Sequence, residues 1–277
     1  MAAGILALAG GGWIWHGWRM RKLSALLFVP VLLLVAGCRA AEPPPAGSFT
    51  TRVKLDGKLS MAVDVYLPEA PQSAPVVMLA HGFTQDRKYH ANQGKRLAAE
   101  GYVVLIPSLV RFADHAGHGR DLVALLDWVE RQQDDQASPL HGRVKKGSAA
   151  ACGHSAGGLS ALLAAAADPR IRVLVLLDAV DWHGLGAKAA ANLKIPTLSV
   201  CAEASAWNAN GSPEQLAAAL PEPKRTVKIA GANHLEAQDP ANRLGEPLVG
   251  KVNPERQQRF TTEMVAWIKE HLPVAQP

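Results

Sequence analysis

The sequence predicts an α/β fold in which a mostly parallel sheet is covered by helices on both faces. Three observations carry that expectation. From Val76 onward, short apolar runs of strand length alternate with segments of helical periodicity. The runs are continuous rather than alternating, as strands buried on both faces must be. And Gly153-His154-Ser155-Ala156-Gly157 lies between one such run and a helical stretch, where only small residues let a chain turn sharply from strand to helix.

The elements follow in order. Phe49 to Leu55 and Ser60 to Leu67 form a β-hairpin, because Asp56-Gly57 between them is a strong tight-turn signal. Val76 to Ala80 is a buried strand, His90 to Glu100 a helix, and Tyr102 to Ile106 a strand. Arg120 to Gln132 is a helix with Leu122, Leu125, Leu126 and Val129 on one face. Ser148 to Cys152 enters the glycine-flanked serine, and Leu159 to Ala167 leaves it as a helix. Strands follow at Val173 to Leu177, Thr197 to Cys201 and Thr226 to Ile229. Ser212-Pro213-Glu214-Gln215 opens a helix with an N-cap, a proline in the first turn and a glutamine three residues on. The last helix opens at Asn253-Pro254 and buries Phe260, Met264, Val265, Ile268 and Leu272. No repeat and no second linker interrupts residues 48–277, which suit one domain.

The front of the chain reads differently. Met20-Arg21-Lys22 precedes an apolar run from Leu23 to Val35, too short to span a bilayer comfortably and broken by Pro30. It ends in Leu34-Val35-Ala36-Gly37-Cys38, which resembles a bacterial lipobox. Residues 1–37 are therefore expected to be a signal region, with translation starting at Met20. Residues 38–47, with Pro43-Pro44-Pro45, are expected to be a stiff tether lipidated on Cys38. Arg39 rather than aspartate after the cysteine resembles the sorting signal for the outer membrane, with the domain facing the periplasm. Cleavage removes Arg19, Arg21 and Lys22 and no acid, so 26 basic residues face 24 acidic ones and the net charge falls from +5 to +2. That balance gives no argument for a nucleic-acid partner. Cys152 and Cys201 lie in strands that Val173 to Leu177 should separate, so both are expected as buried thiols rather than a disulfide.

Gly-x-Ser-x-Gly between strand and helix is the nucleophile-elbow pattern. An elbow serine needs a base, an acid that orients it, and donors for the oxyanion. In this architecture they follow in the order serine, acid, histidine. Of ten histidines, only His183, His234 and His271 follow Ser155. His234 is the candidate base, because it lies in the loop after the final core strand. The acid stays open on position alone. Asp178 ends an apolar strand at the expected active edge; Glu203 lies in the loop after the next strand; Asp181 is a third choice. The oxyanion donors are expected to be the backbone amides of Ala156 and of Phe83, the latter in the turn after the first buried strand. Thr84, His154, Trp182 and Trp207 are candidate cleft residues. His115 and His118 lack a third ligand at metal-binding spacing and are expected at a cleft rim or loop. No metal is called for.

With these residues in place, the chain resembles the chlorophyllase-like and dienelactone-hydrolase-like branch of the α/β-hydrolases, a branch related to cutinase-like polyester hydrolases. The resemblance rests on Ala80-His81-Gly82-Phe83, on Leu97 to Pro107, and on Gly153-His154-Ser155-Ala156-Gly157-Gly158. Leu177-Asp178-Ala179-Val180-Asp181 is similar to the Asp-Pro-Val-Asp segment of chlorophyllases, with Ala179 in place of the proline. Asn233-His234-Leu235-Glu236 resembles their Gly-His-Leu-Asp. The resemblance implies an α/β-hydrolase fold and names Asp178 as the acid, and the short stretch between Leu177 and Thr197 leaves no room for a large lid. It further implies a serine carboxylesterase that needs no cofactor and works through an acyl-enzyme on small or polymeric esters. Acyl transfer, peptide cleavage and perhydrolysis use the same residues, and a non-catalytic envelope lipoprotein would keep the same fold. The oligomeric state is not legible.

Overall fold

A computed structural model describes residues 47–69, 73–191 and 193–275. The signal region, Met20, Cys38 and the tether as far as residue 46 lie outside them. The described residues belong to one compact unit.

Eight strands make one sheet: β1 (Ser48–Lys54), β2 (Ser60–Tyr66), β3 (Ala74–Ala80), β4 (Val103–Pro107), β5 (Val144–His154), β6 (Ile171–Leu177), β7 (Thr197–Cys201) and β8 (Lys224–Lys228). The helices are α1 (Ala91–Ala99), α2 (His115–Gln132), α3 (Ala156–Ala167), α4 (Leu185–Ala190), α5 (Ser212–Ala219), α6 (Glu246–Val249) and α7 (Pro254–His271). The strand order is β1-β2-β4-β3-β5-β6-β7-β8. β1 and β2 are antiparallel to each other, β2 is antiparallel to β4, and the remaining pairs are parallel. Gly57 takes φ +62° in the turn between β1 and β2, as a hairpin at Asp56-Gly57 requires.

Because successive strand residues point to opposite faces, the buried strands feed two cores. Val76, Met78 and Ala80 pack with Leu122, Leu125 and Leu126 of α2, Leu162 of α3 and Leu216 of α5. Val77 and Leu79 pack with Leu97 of α1 and with Phe260, Met264 and Ile268 of α7. This is the helix-covered α/β sheet that the continuous apolar runs predict. Cys152 and Cys201 are buried free thiols on β5 and β7, with β6 between them. Burial pushes the Cys201 thiol up to about 12 and raises Cys152 further, so neither is a nucleophile.

Some boundaries differ from the sequence expectation. α2 begins at His115 rather than near Arg120, because the Asp114 side chain caps it by accepting from the Gly117 amide at 2.7 Å. β8 is a half-exposed edge strand, Lys-Arg-Thr-Val-Lys, rather than a buried apolar run. Between β6 and β7 the described chain holds only the six-residue helix α4, so no large lid stands there.

Candidate active site

The candidate residues gather at the C-terminal edge of the parallel strands, where open α/β sheets place their ligands. Ser155 links β5 directly to α3 and takes φ 55°, ψ −127°, a region that L-residues rarely occupy. The glycines around it make that turn possible. A Cβ on Gly157 would sit 2.3 Å from the His81 carbonyl oxygen, and one on Gly153 would sit 2.3 Å from the Gly157 carbonyl oxygen. At Gly158 it would meet the Ala179 Cβ at 2.4 Å. The elbow is tied to β6 and to the segment beyond it: the Ser155 amide donates to the Leu177 carbonyl (3.1 Å), and the Val180 amide donates to the Ser155 carbonyl (3.2 Å).

Asp178 follows β6 immediately and is fully buried. Its Oδ2 accepts from His234 Nδ1 at 2.6 Å, and its Oδ1 accepts from the Ala202 amide at 2.9 Å. The Asn208 side-chain amide lies 3.3 Å from Oδ1 and 3.2 Å from Oδ2. Only donors face the two oxygens, the surroundings an ionised carboxylate takes. A carboxylate can only accept, so His234 carries its proton on Nδ1 and presents a lone pair on Nε2. The turn holding His234 is a 3₁₀ segment, His234–Ala237, capped by the Asn233 side chain, which accepts from the Leu235 amide at 3.0 Å.

The other acid candidates are engaged elsewhere. Asp181 caps α4, accepting from the amides of Gly186 (2.7 Å) and Ala187 (3.1 Å). Glu203 is 47 % exposed, pairs with Lys228 at 3.1 Å, and accepts from the Gly231 amide at 3.2 Å. Of the three acids, only Asp178 contacts the histidine.

His154 is buried beneath the site rather than in an open cleft. Its ring centroid lies 4.5 Å from that of His234, and its Nε2 donates to the His234 carbonyl at 3.1 Å. Burial, with His234 and His90 adding to it, holds it well below the usual imidazole range, so it stays neutral. The cleft itself, about 190 Å³, is lined by His81, Phe83, Thr84, Val110, Phe112 and Ala156 among others. Phe83 and Ala156 thus face the same space. Ala156 is the first residue of α3, so its amide has no partner within the helix. Trp182 is half-exposed beside His115, with ring centroids 6.0 Å apart. Trp207 is also half-exposed, and its indole N–H donates to the Leu248 carbonyl at 3.2 Å.

His115 and His118 face this cleft from the first turn of α2. His118 Nε2 accepts from the Arg111 amide (3.0 Å), and His81 Nε2 accepts from the Leu109 amide (2.9 Å). Burial pushes His118 down to about 4 and lowers His81, so both remain neutral acceptors. Together they pin the segment that brings Phe112, 84 % exposed, to 5.2 Å from Phe83. The His81 contact, like that of Asn208, has no signature in the local sequence, because each joins residues about thirty positions apart.

Known proteins extend the picture. A family described as "PETase: PET hydrolase-like" matches residues 45–272. Cutinase cut1 of Thermobifida fusca is 26 % identical over 203 residues, covering 67 % of this chain and 61 % of its own length. Bis(hydroxyethyl) terephthalate hydrolase of Streptomyces coelicolor is 30 % identical over 190 residues, covering 59 % of each chain. The chain thus spans about three fifths of the length of these curated relatives. A dienelactone hydrolase from Anabaena variabilis superposes with a TM-score of 0.62 at 20 % identity, over 81 % of this chain and 98 % of that one. That likeness establishes the α/β-hydrolase fold.

Proposed function

The chain belongs to the PET hydrolase-like family, a family of ester hydrolases, and on that premise we propose that it is a serine carboxylesterase working through Ser155, His234 and Asp178. The observation that carries the reading is the 2.6 Å hydrogen bond from His234 to Asp178, with the residue next to Ser155 bonded to the same histidine. Ser155 Oγ attacks the ester carbonyl while His234 Nε2 takes its proton. The oxyanion is held by the amides of Phe83 and Ala156. Collapse expels the alcohol, which takes the proton back from His234. Water, deprotonated by the same nitrogen, then adds to the acyl-enzyme; the free acid leaves and Ser155 regains its proton. No step calls for a metal or an organic cofactor.

The apolar lining at Phe83, Val110 and Phe112, and the absence of a large lid among the described residues, favour acyl groups that are bulky or part of a polymer. The names of the relatives, a cutinase and a bis(hydroxyethyl) terephthalate hydrolase, make polyesters and aromatic esters the first to test. A fluorophosphonate should label the wild type and leave Ser155→Ala unlabelled. Equal labelling of the two would remove the enzyme reading. An ester panel that includes amides, peracid formation and an acyl acceptor separates hydrolysis from the other reactions open to the same residues.

For location, we propose a lipid on Cys38 that holds the domain on the periplasmic face of the outer membrane, carried by the lipobox-like Leu34 to Cys38. Cys38→Ser should move the protein from the membrane to the soluble fraction, and unchanged fractionation would sink the anchor.

A further inference from the structure

We propose that Asn208 is a positioning residue for the reaction, its side-chain amide fixing the Asp178 carboxylate so that Oδ2 faces His234. The inference rests on the reading of Asp178 and His234 as acid and base. Asp178 needs such a hold. It takes φ 45°, a left-handed conformation unfavourable for a residue with a Cβ, at the free tip of β6. Its backbone is drawn towards β7 by the bond from its amide to the Val200 carbonyl (2.7 Å), and its side chain reaches into the loop beyond β7. There Ala202 supplies one donor to Oδ1. Asn208, fully buried in the 3₁₀ turn Ala206–Asn208, supplies a second that lies nearly equidistant from both oxygens.

Both ends of the Asn208 amide bond the loop, and the nitrogen alone also reaches Asp178. Asn208 Oδ1 accepts from the amides of Ser205 (2.9 Å) and Gly211 (3.3 Å), which shapes the loop. Its Nδ2 donates to the Glu203 carbonyl (2.9 Å) and across to Asp178. The bond to Glu203 serves the loop as the oxygen does, whereas the bond across to Asp178 does not. The nitrogen holds in place an acid carried one strand earlier. Removing that donor leaves more negative charge on Oδ2, which favours protonated His234. The other titratable groups packed around the pair are His154 from the end of β5, Cys201 and Glu203 from β7 and its loop, and Glu236 with its partner Arg256. None of them is altered by a change at position 208.

Asn208→Ser removes the donor without adding a charge beside the pair, because its shorter side chain does not reach the Asp178 carboxylate. In the full chain, His234 is followed by imidazole NMR titration, and kcat and KM are measured against pH on a p-nitrophenyl ester. We expect His234 to titrate about one pH unit higher. We also expect kcat to fall by about tenfold to a hundredfold with KM nearly unchanged. An unshifted His234 with wild-type kcat overturns the proposal. If Asn208→Ser does not fold, Asn208→Ala carries the same test: an upward shift of His234 supports the proposal and an unshifted titration overturns it. The titration needs no turnover. A wild type inert to esters and fluorophosphonate would therefore remove the esterase reading while still reporting whether Asn208 holds the pair.

Discussion

On the proposed mechanism the chemistry turns on Asp178, since three carboxylates stand near the active edge and only this one meets the histidine. Asp178→Asn would leave the shape intact while removing the charge that fixes the Nδ1–H tautomer of His234. The expected loss in kcat is several orders of magnitude, on the order of 10⁴-fold. Glu203→Gln, at a half-exposed side chain bonded to Lys228 and the Gly231 amide, should change kcat little. Steady-state kinetics on one activated ester decide between them, and a collapse in Glu203→Gln with a mild effect in Asp178→Asn would reassign the acid. Ser155 and His234 were legible as candidates because their places are set by local rules, a glycine-flanked turn and a loop after a late strand. The acid was ambiguous because position in the chain cannot say which of two neighbouring strand ends points at the histidine. Asn208 was not legible at all. Its Ser205-x-x-Asn208 spacing signals a turn, but nothing near it in sequence points to residue 178.

At the scale of elements, the place of His234, the proposed base, depends on how its turn is locked to α7. Glu236, fully buried, accepts from Arg256 Nε and Nη2 at 2.8 Å each. It also accepts from the Asn253 amide at 2.7 Å and from the Asn233 amide at 3.2 Å. One carboxylate thus joins the cap of the turn to the cap of the helix. Glu236→Gln keeps the volume but leaves a guanidinium with an uncharged partner. It should lower stability by about 3 kcal/mol, or roughly 6–12 °C in Tm. The same variant should lower kcat, because the turn that aims His234 loses its anchor. A Tm within a degree or two of wild type, read by calorimetry, would show that the packing of α7 alone holds the turn. The core face of α7 was readable from its periodicity, whereas this ion pair was not, since it joins residues twenty positions apart through the fold. The start of α2 was missed for a related reason. Asp114 is an ordinary N-cap residue, but the glycines at 117 and 119 weaken the helical pattern behind it, and only the packed structure settles where the helix begins.

Across the molecule, the site sits among buried histidines that are held neutral, and this sets how the fold responds to acid. Burial pushes His90 down to about 4, lowers His81 and His115, and holds His154 well below its ordinary value. In the unfolded chain each titrates near 6.5, so as pH falls below 6.5 the unfolded state takes up protons that the folded state refuses. Stability is therefore whole above about 6.5 and declines towards 4, by on the order of 3 kcal/mol for His90 alone. Carboxylates act in a lower window. Hydrogen bonds from Arg170 hold Asp168, and one from Lys269 holds Glu100, below their ordinary values of 3.8 and 4.5. Their contribution is present above those values and is lost only beneath them. Tm should thus fall between pH 7.5 and 4.5 before the carboxylates titrate. His90→Gln, which cannot take up the proton, should remove roughly 6–12 °C of that fall whatever it does to Tm at pH 7.5. Identical Tm–pH slopes for the two proteins would show that His90 takes up its proton in the folded state, and that the acid sensitivity arises elsewhere in the histidine cluster.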